Sequence, residues 1–233
     1  IELLDHLGTD HCHVLGTSFG GLVGIALAAL HPGRVRSLVG VTVGDHATPE
    51  LARGVRQLSA ACRLVLDGGS PARLAELMAA MFYTPSHVAA NHDALTVRAT
   101  QLSQLPRGWW EGLAGLLETL EGFDLRPILP QVACPTLVLA AGEDLVFPLD
   151  RARAVADAIP GARFALVADS GHVLIQERPL RFVELTLEFL ATLEGSGRGS
   201  LAGPGSRNVC PDPRQGRHAP PSDTDFDQTG GSS

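Results

Sequence analysis

The start of the chain constrains the fold most. Residues 12–15 (CHVL) read as a short strand that runs into Gly16. Residues 18–30 follow as an apolar, Ala-rich helix, and His31-Pro32-Gly33 stops it. Residues 35–43 are then almost continuously apolar, as a strand buried on both faces should be. Strand, helix and strand joined by short connections make a crossover unit. Such a unit implies a parallel sheet covered by helices.

The middle of the chain has another rhythm. Apolar residues recur at helical spacing in 51–66, 72–82, 87–105 and 109–120. Breakers at Gly68-Gly69, Pro85 and Pro106 separate these runs. The strand–helix pattern resumes at 135–140, 149–159 and 163–167, and 179–193 is a final amphipathic helix. From residue 194 the composition turns to Gly, Ser, Pro, Arg and Asp. Such a tail buries too little apolar surface to offset its ordering entropy, so disorder is expected there. The expected fold class is α/β, a mostly parallel sheet with flanking helices and a helical cap inserted between strands. Its parts are a first core segment (1–45), the cap (46–130), a second core segment (131–193) and the tail (194–233).

Composition excludes several functions. The 233 residues are 45% hydrophobic, enough for one domain with a sizeable core. A net charge of -7 argues against a nucleic-acid partner, which requires a basic face. No basic amphipathic stretch suits a membrane surface, and no apolar run suits a span. The chain has no Lys, so no mechanism can use a lysine amine. Cys12, Cys62, Cys134 and Cys210 form no C-x-x-C pair, and reduced thiols in a cytoplasm are expected. The chain opens at Ile1 inside a helical run, without a signal-peptide pattern. An N-terminal part of the natural fold is therefore expected to be absent.

Gly16-Thr17-Ser18-Phe19-Gly20 fits G-x-S-x-G and falls between a strand and a helix. A turn that sharp needs small neighbours, which Gly supplies. It would present the Ser18 hydroxyl at the carboxyl end of the sheet. The backbone N–H of Phe19, at a helix N-terminus, could donate to a developing oxyanion. The plain alternative is a Gly-rich turn with a serine helix cap. A serine hydroxyl needs a base, and the base needs an orienting acid. The strand at 135–140 ends in Ala141-Gly142-Glu143-Asp144, and the strand at 163–167 ends in Ala168-Asp169-Ser170-Gly171-His172. Asp144 would hold the imidazole of His172 in the correct tautomer, and His172 would take the proton of Ser18.

On these residues the chain resembles the α/β-hydrolase superfamily. Three stretches carry the resemblance. They are Val14-Leu15-Gly16-Thr17-Ser18-Phe19-Gly20-Gly21, Gly142-Glu143-Asp144-Leu145-Val146-Phe147-Pro148, and Ser170-Gly171-His172 with Glu177 and Pro179 downstream. The likeness covers residues 1–193 and is closest in character to small cytoplasmic esterases, enol-lactonases and cofactor-free haloperoxidase-like enzymes. It implies that the insertion between the sixth and seventh strands is a cap over the active site. It also implies about four strands and a helix ahead of this segment, with a second oxyanion donor beside a His-Gly pair. Loss of one such donor costs about 100- to 1,000-fold in rate. The chain as it stands is thus expected to be a weakly active fragment with an open edge at 12–15.

Other residues near these motifs have plainer roles. Asp45 follows the second strand and competes with Asp144 as the acid. Glu143 reads as a solvated loop residue and Asp169 as a strand-end residue. His11 and His13 flank Cys12 and share a strand face, but no third ligand is near in sequence, so no metal is expected. Trp109, Trp110, Met78, Met81 and Phe82 either pack the cap or line an acyl pocket. Asp223, Asp225 and Asp227 alternate as in a calcium loop, but Gln228 stands where Gly is required. No P-loop or G-x-G-x-x-G is present.

The expectation is a serine hydrolase that cleaves a small-molecule ester or lactone through an acyl-enzyme, without a cofactor. Two alternatives stay open. One is a C–C bond hydrolase or cofactor-free perhydrolase on the same triad. The other is a non-catalytic ligand-binding or decayed homologue.

Overall fold

Short crossovers between apolar strands produce the parallel sheet that the sequence implies. A computed structural model describes residues 1–197. A short helix α1 (Glu2–His6) leads into β1 (Cys12–Thr17), α2 (Phe19–Leu30) and β2 (Val35–Val41). Five helices follow: α3 (Pro49–Leu66), α4 (Ala72–Phe82), α5 (Pro85–Ala90), α6 (His92–Leu102) and α7 (Arg107–Thr119). The chain then returns through β3 (Thr136–Ala141), α8 (Leu149–Ala158), β4 (Arg163–Val167), a short α9 (Leu174–Glu177) and α10 (Pro179–Gly197). Among the described residues the strands pair in the order β1-β2-β3-β4, all parallel. The tail expected at 194–233 lies, from residue 198, outside the described residues. So do Cys210 and the Asp223, Asp225 and Asp227 run.

The central strands are apolar along their whole length because both faces are covered. Leu38, Val138 and Ala140 face the side packed by α2, α3, α7 and α8. Val39, Val41, Leu137, Leu139 and Val167 face the other side, against Phe189 and Leu174. β1 lies at the edge of this sheet, and its Leu15 is half exposed. No helix among the described residues is long and apolar enough to cross a membrane.

The five-helix insertion leaves and rejoins the sheet at one point. Ala47 N–H donates to the Phe123 carbonyl at 2.9 Å, and Leu125 N–H donates to the Asp45 carbonyl at 2.8 Å. The Thr48 hydroxyl caps α3 by accepting from Leu51 N–H. Within the insertion α3 packs on α7, where the Cys62 thiol donates to the Trp110 carbonyl. The single helix read over 87–105 is in fact two. Asn91 breaks it with φ -125° and ψ 24°, and its amide donates to the His87 carbonyl at 2.9 Å. Its side chain thus competes with the helix for the backbone.

One helix offers a test of this layering. Phe189 on α10 is 2% exposed, whereas Leu187 is 59% exposed. Phe189→Ala should lower the unfolding free energy in urea by about 3–5 kcal/mol. Leu187→Ala should stay within about 0.5 kcal/mol of the parent.

Candidate active site

The carboxyl ends of β1, β3 and β4 converge, and each carries one of the expected residues. Ser18 follows β1 with φ 52° and ψ -123°, a conformation rare outside glycine. Its neighbours explain how that is held. A Cβ on Gly16 would run into the Gly20 carbonyl, and one on Gly21 would run into Val43. Ser18 N–H donates to the Val41 carbonyl at 2.9 Å, which ties the turn to β2. Gly20, the last glycine of the motif, faces open space. The tight packing that the sequence reading gave to the motif's glycines therefore belongs to Gly16 and Gly21.

Asp144 and His172 reach the turn from two loops stitched together. Gly142 N–H donates to the Val167 carbonyl and Glu143 N–H to the Ser170 carbonyl, both at 2.9 Å. His172 Nε2 lies 2.8 Å from Ser18 Oγ. His172 Nδ1 lies 3.1 and 3.0 Å from the two oxygens of Asp144. Asp144 Oδ1 also accepts from Val146 N–H at 2.8 Å and Phe147 N–H at 2.9 Å. A carboxylate held by two backbone donors cannot swing away from the ring. His172 and Asp144 are both buried, while Ser18 is partly open. The rings of Phe82 and Phe147 stand 5.3 and 5.8 Å from the imidazole. Phe19 opens α2, so its N–H is among those a helix leaves without an intrahelical partner.

The rival residues are placed elsewhere. Asp45 is buried beside His46 Nδ1 at 3.0 Å and Arg151 at 3.7 Å. Asp169 pairs with Arg178 at 2.7 Å, and that hydrogen bond holds its carboxyl below the usual range. Glu143 is exposed. His13 Nδ1 contacts Ser37 Oγ at 2.7 Å. Trp110 is buried with its indole N–H donating to the Leu105 carbonyl, and Trp109 is largely exposed.

Glu177 has a part that sequence reasoning did not find. It is 7% exposed. It accepts from the Thr84 hydroxyl at 2.6 Å, from Thr84 N–H at 3.2 Å and from Gly171 N–H at 3.0 Å. Val173 N–H donates to the Phe82 carbonyl at 3.1 Å beside it. One carboxylate thus ties the end of α4 to the loop that carries His172. The available signal was an acidic residue between Gln176 and Arg178, just after the apolar run 173–175 that follows His172.

Two predictions follow from this geometry. Gly16→Ala should abolish the folded turn, seen as loss of soluble protein or of Ser18 reactivity, whereas Gly20→Ala should retain both. Glu177→Ala would strand the N–H groups of Thr84 and Gly171, each costing about 1–3 kcal/mol, while the Thr84 hydroxyl keeps Ser86 Oγ at 3.1 Å. Glu177→Gln can still accept from both N–H groups, so its thermal midpoint should lie much nearer the parent's.

Comparison with known proteins identifies the family. The family profile described as alpha/beta hydrolase fold matches residues 2–179. RutD of Stutzerimonas stutzeri, named for carbamate hydrolysis, is 32% identical over 192 residues, or 82% of this chain and 70% of RutD. The enol-lactonase of Burkholderia xenovorans is 27% identical with a TM-score of 0.69, over 81% of this chain and 69% of the lactonase. A thermophilic esterase from Thermogutta terrifontis is 26% identical with a TM-score of 0.68, over 82% of this chain and 69% of the esterase. With its parallel sheet, its turn at Ser18 and these matches, the chain belongs to the alpha/beta hydrolase family.

Proposed function

We propose that the protein cleaves a carboxylic ester or lactone through an acyl-enzyme. The observation that carries this reading is the unbroken chain of contacts from Ser18 Oγ to His172 Nε2 at 2.8 Å and from His172 Nδ1 to Asp144 at 3.0 Å. With Nδ1 protonated and donating to Asp144, Nε2 is free to accept a proton. Ser18 Oγ attacks the substrate carbonyl as His172 takes the hydroxyl proton. The carbonyl oxygen becomes an oxyanion, to which Phe19 N–H donates. Collapse expels the alcohol, which takes the proton from His172, and leaves Ser18 acylated. Water then attacks the acyl carbon with His172 as base, releasing the acid and restoring Ser18. Side chains, backbone and water suffice for these steps.

The buried thiols are poor rivals for the nucleophile. Burial pushes the pKa of Cys62 and Cys134 up, away from the reactive thiolate. Cys12, Cys62 and Cys134 are free thiols, which suits a reducing cytoplasm. A second reading, carbamate hydrolysis, is favoured by the 32% identity to RutD. It would use the same attack on a carbonyl, with carbamic acid in place of the carboxylic acid.

A fluorophosphonate probe tests the reading directly. Mass spectrometry should find the label on Ser18, and Ser18→Ala and His172→Ala should each lose it. Folded protein that takes no label would overturn the assignment. A panel of p-nitrophenyl esters, lactones and aryl carbamates then separates the two readings.

A further inference from the structure

Among the described residues only two besides glycine have a positive φ, Ser18 at 52° and Thr42 at 48°. At Ser18 the turn presents the nucleophile. No step of the proposed reaction uses Thr42. Thr42 is β-branched, and such a residue in the left-handed region is a true outlier that its surroundings must hold.

Those surroundings are the turn at Ser18. Thr42 is 1% exposed and follows β2. Its N–H donates to the Leu139 carbonyl of β3 at 2.8 Å, and its hydroxyl donates to the Val41 carbonyl at 2.8 Å. The Val41 carbonyl also accepts from Ser18 N–H at 2.9 Å. Thr17 Oγ1 stands 3.5 Å from Thr42 Oγ1. Thr17 and Ser18 therefore both bear on Thr42, one through its hydroxyl and one through the carbonyl that this hydroxyl holds.

The same kink places Val43. Three residues of extended strand span about 10 Å. A Cβ on Gly40 would nonetheless lie 3.5 Å from Val43, so the chain folds back at Thr42. Val43 is thereby wholly buried and closes over Gly21, three residues after Ser18. We propose that Thr42 is a positioning residue for the nucleophile. Its left-handed turn sets Val43 on Gly21, and its hydroxyl fixes the carbonyl to which Ser18 N–H is tied. The proposal rests on the hydrolase reading and adds to it a residue that lies outside the motif around Ser18.

The test compares Thr42→Ser, Thr42→Val and Thr42→Gly by the rate of Ser18 labelling with a fluorophosphonate and by turnover of p-nitrophenyl acetate. Thr42→Val removes the hydroxyl and keeps the shape, and should lower the labelling rate and kcat about tenfold with KM unchanged. Thr42→Gly takes the left-handed turn without strain, so it serves if the valine variant fails to fold, and it should show the same loss. Thr42→Ser keeps the hydroxyl and should recover at least about half of the parent's rate. A merely structural role would lower the thermal midpoint and leave the kcat of folded protein where it was. Parent-like kcat in Thr42→Val and Thr42→Gly would overturn the proposal, as would a rise in KM alone or a serine variant as slow as the valine one. Failure of the hydrolase reading is told apart by hydrogen exchange, which needs no reactivity at Ser18. The Ser18 amide should exchange about tenfold faster in Thr42→Gly than in the parent, with the amides of β4 unchanged. Equal exchange at Ser18 would overturn the proposal whether or not the parent takes the label.

Discussion

The left-handed backbone at Ser18 is the constraint on which the site depends. A serine at φ 52° and ψ -123° carries strain of about 1–3 kcal/mol. Close packing on both sides of the turn holds it there. Gly16 lies against the Gly20 carbonyl, Gly21 lies under Val43, and Ser18 N–H is tied to β2 at Val41. The residue that follows β2, Thr42, is itself at φ 48°, and its hydroxyl donates to the Val41 carbonyl at 2.8 Å. Two strained residues therefore share one carbonyl, that of Val41. Pairing of β1 with β2 is thus a condition for the turn that presents Ser18, beyond its contribution to stability.

The other half of the site depends on the sheet in a different way. Asp144 and His172 follow β3 and β4, which pair in register up to Ala141 and Val167. The stitches beyond that point, through Gly142 and Glu143, continue the pairing into the loops. A Cβ on Gly142 would collide with the Ala168 carbonyl, so that loop contact admits only glycine. Asp144 and His172 are therefore set relative to one another by backbone bonds between their two loops. The insertion adds Phe82 and Thr84, which meet the loop of His172 through Val173 N–H and Glu177.

The sequence made legible whatever was local. The strands, the turn at Ser18 and the loops that end in Asp144 and His172 each carry their signal within a few residues. Where several residues on different elements decide the outcome, that signal fails. Gly20 belongs to the motif, yet Gly21 is the one packed against Val43, a side chain more than twenty positions away. Glu177 looks like a surface acid until Thr84, 93 residues away in sequence, is brought to it. Asn91 carries no strong breaker signature, and its effect comes from a side-chain bond that competes with the helix. Of the cap residues read as packing or pocket, Trp110 is core, Met81 lies against Gly54, and Met78 and Phe82 line a cavity between α4 and α6. Helical spacing alone cannot divide them, because all sit on apolar faces.

Burial then connects the insertion to the chemistry. Asp144 and His172 are each 5% exposed, and the ring of Phe82 from α4 and the ring of Phe147 from the acid loop stand beside the imidazole. A carboxylate facing an imidazole stabilises a developing imidazolium more strongly where water is excluded. Two backbone N–H groups and the ring share the oxygens of Asp144, so the carboxyl group keeps hydrogen-bond partners where water is excluded. Phe82 thus shields the imidazole of His172 and also lines a cavity between α4 and α6. A change in the insertion that moves Phe82 alters both the cover over that ring and the shape of the cavity. Glu177, which holds Thr84 two residues beyond Phe82, is the bond that keeps the ring in place.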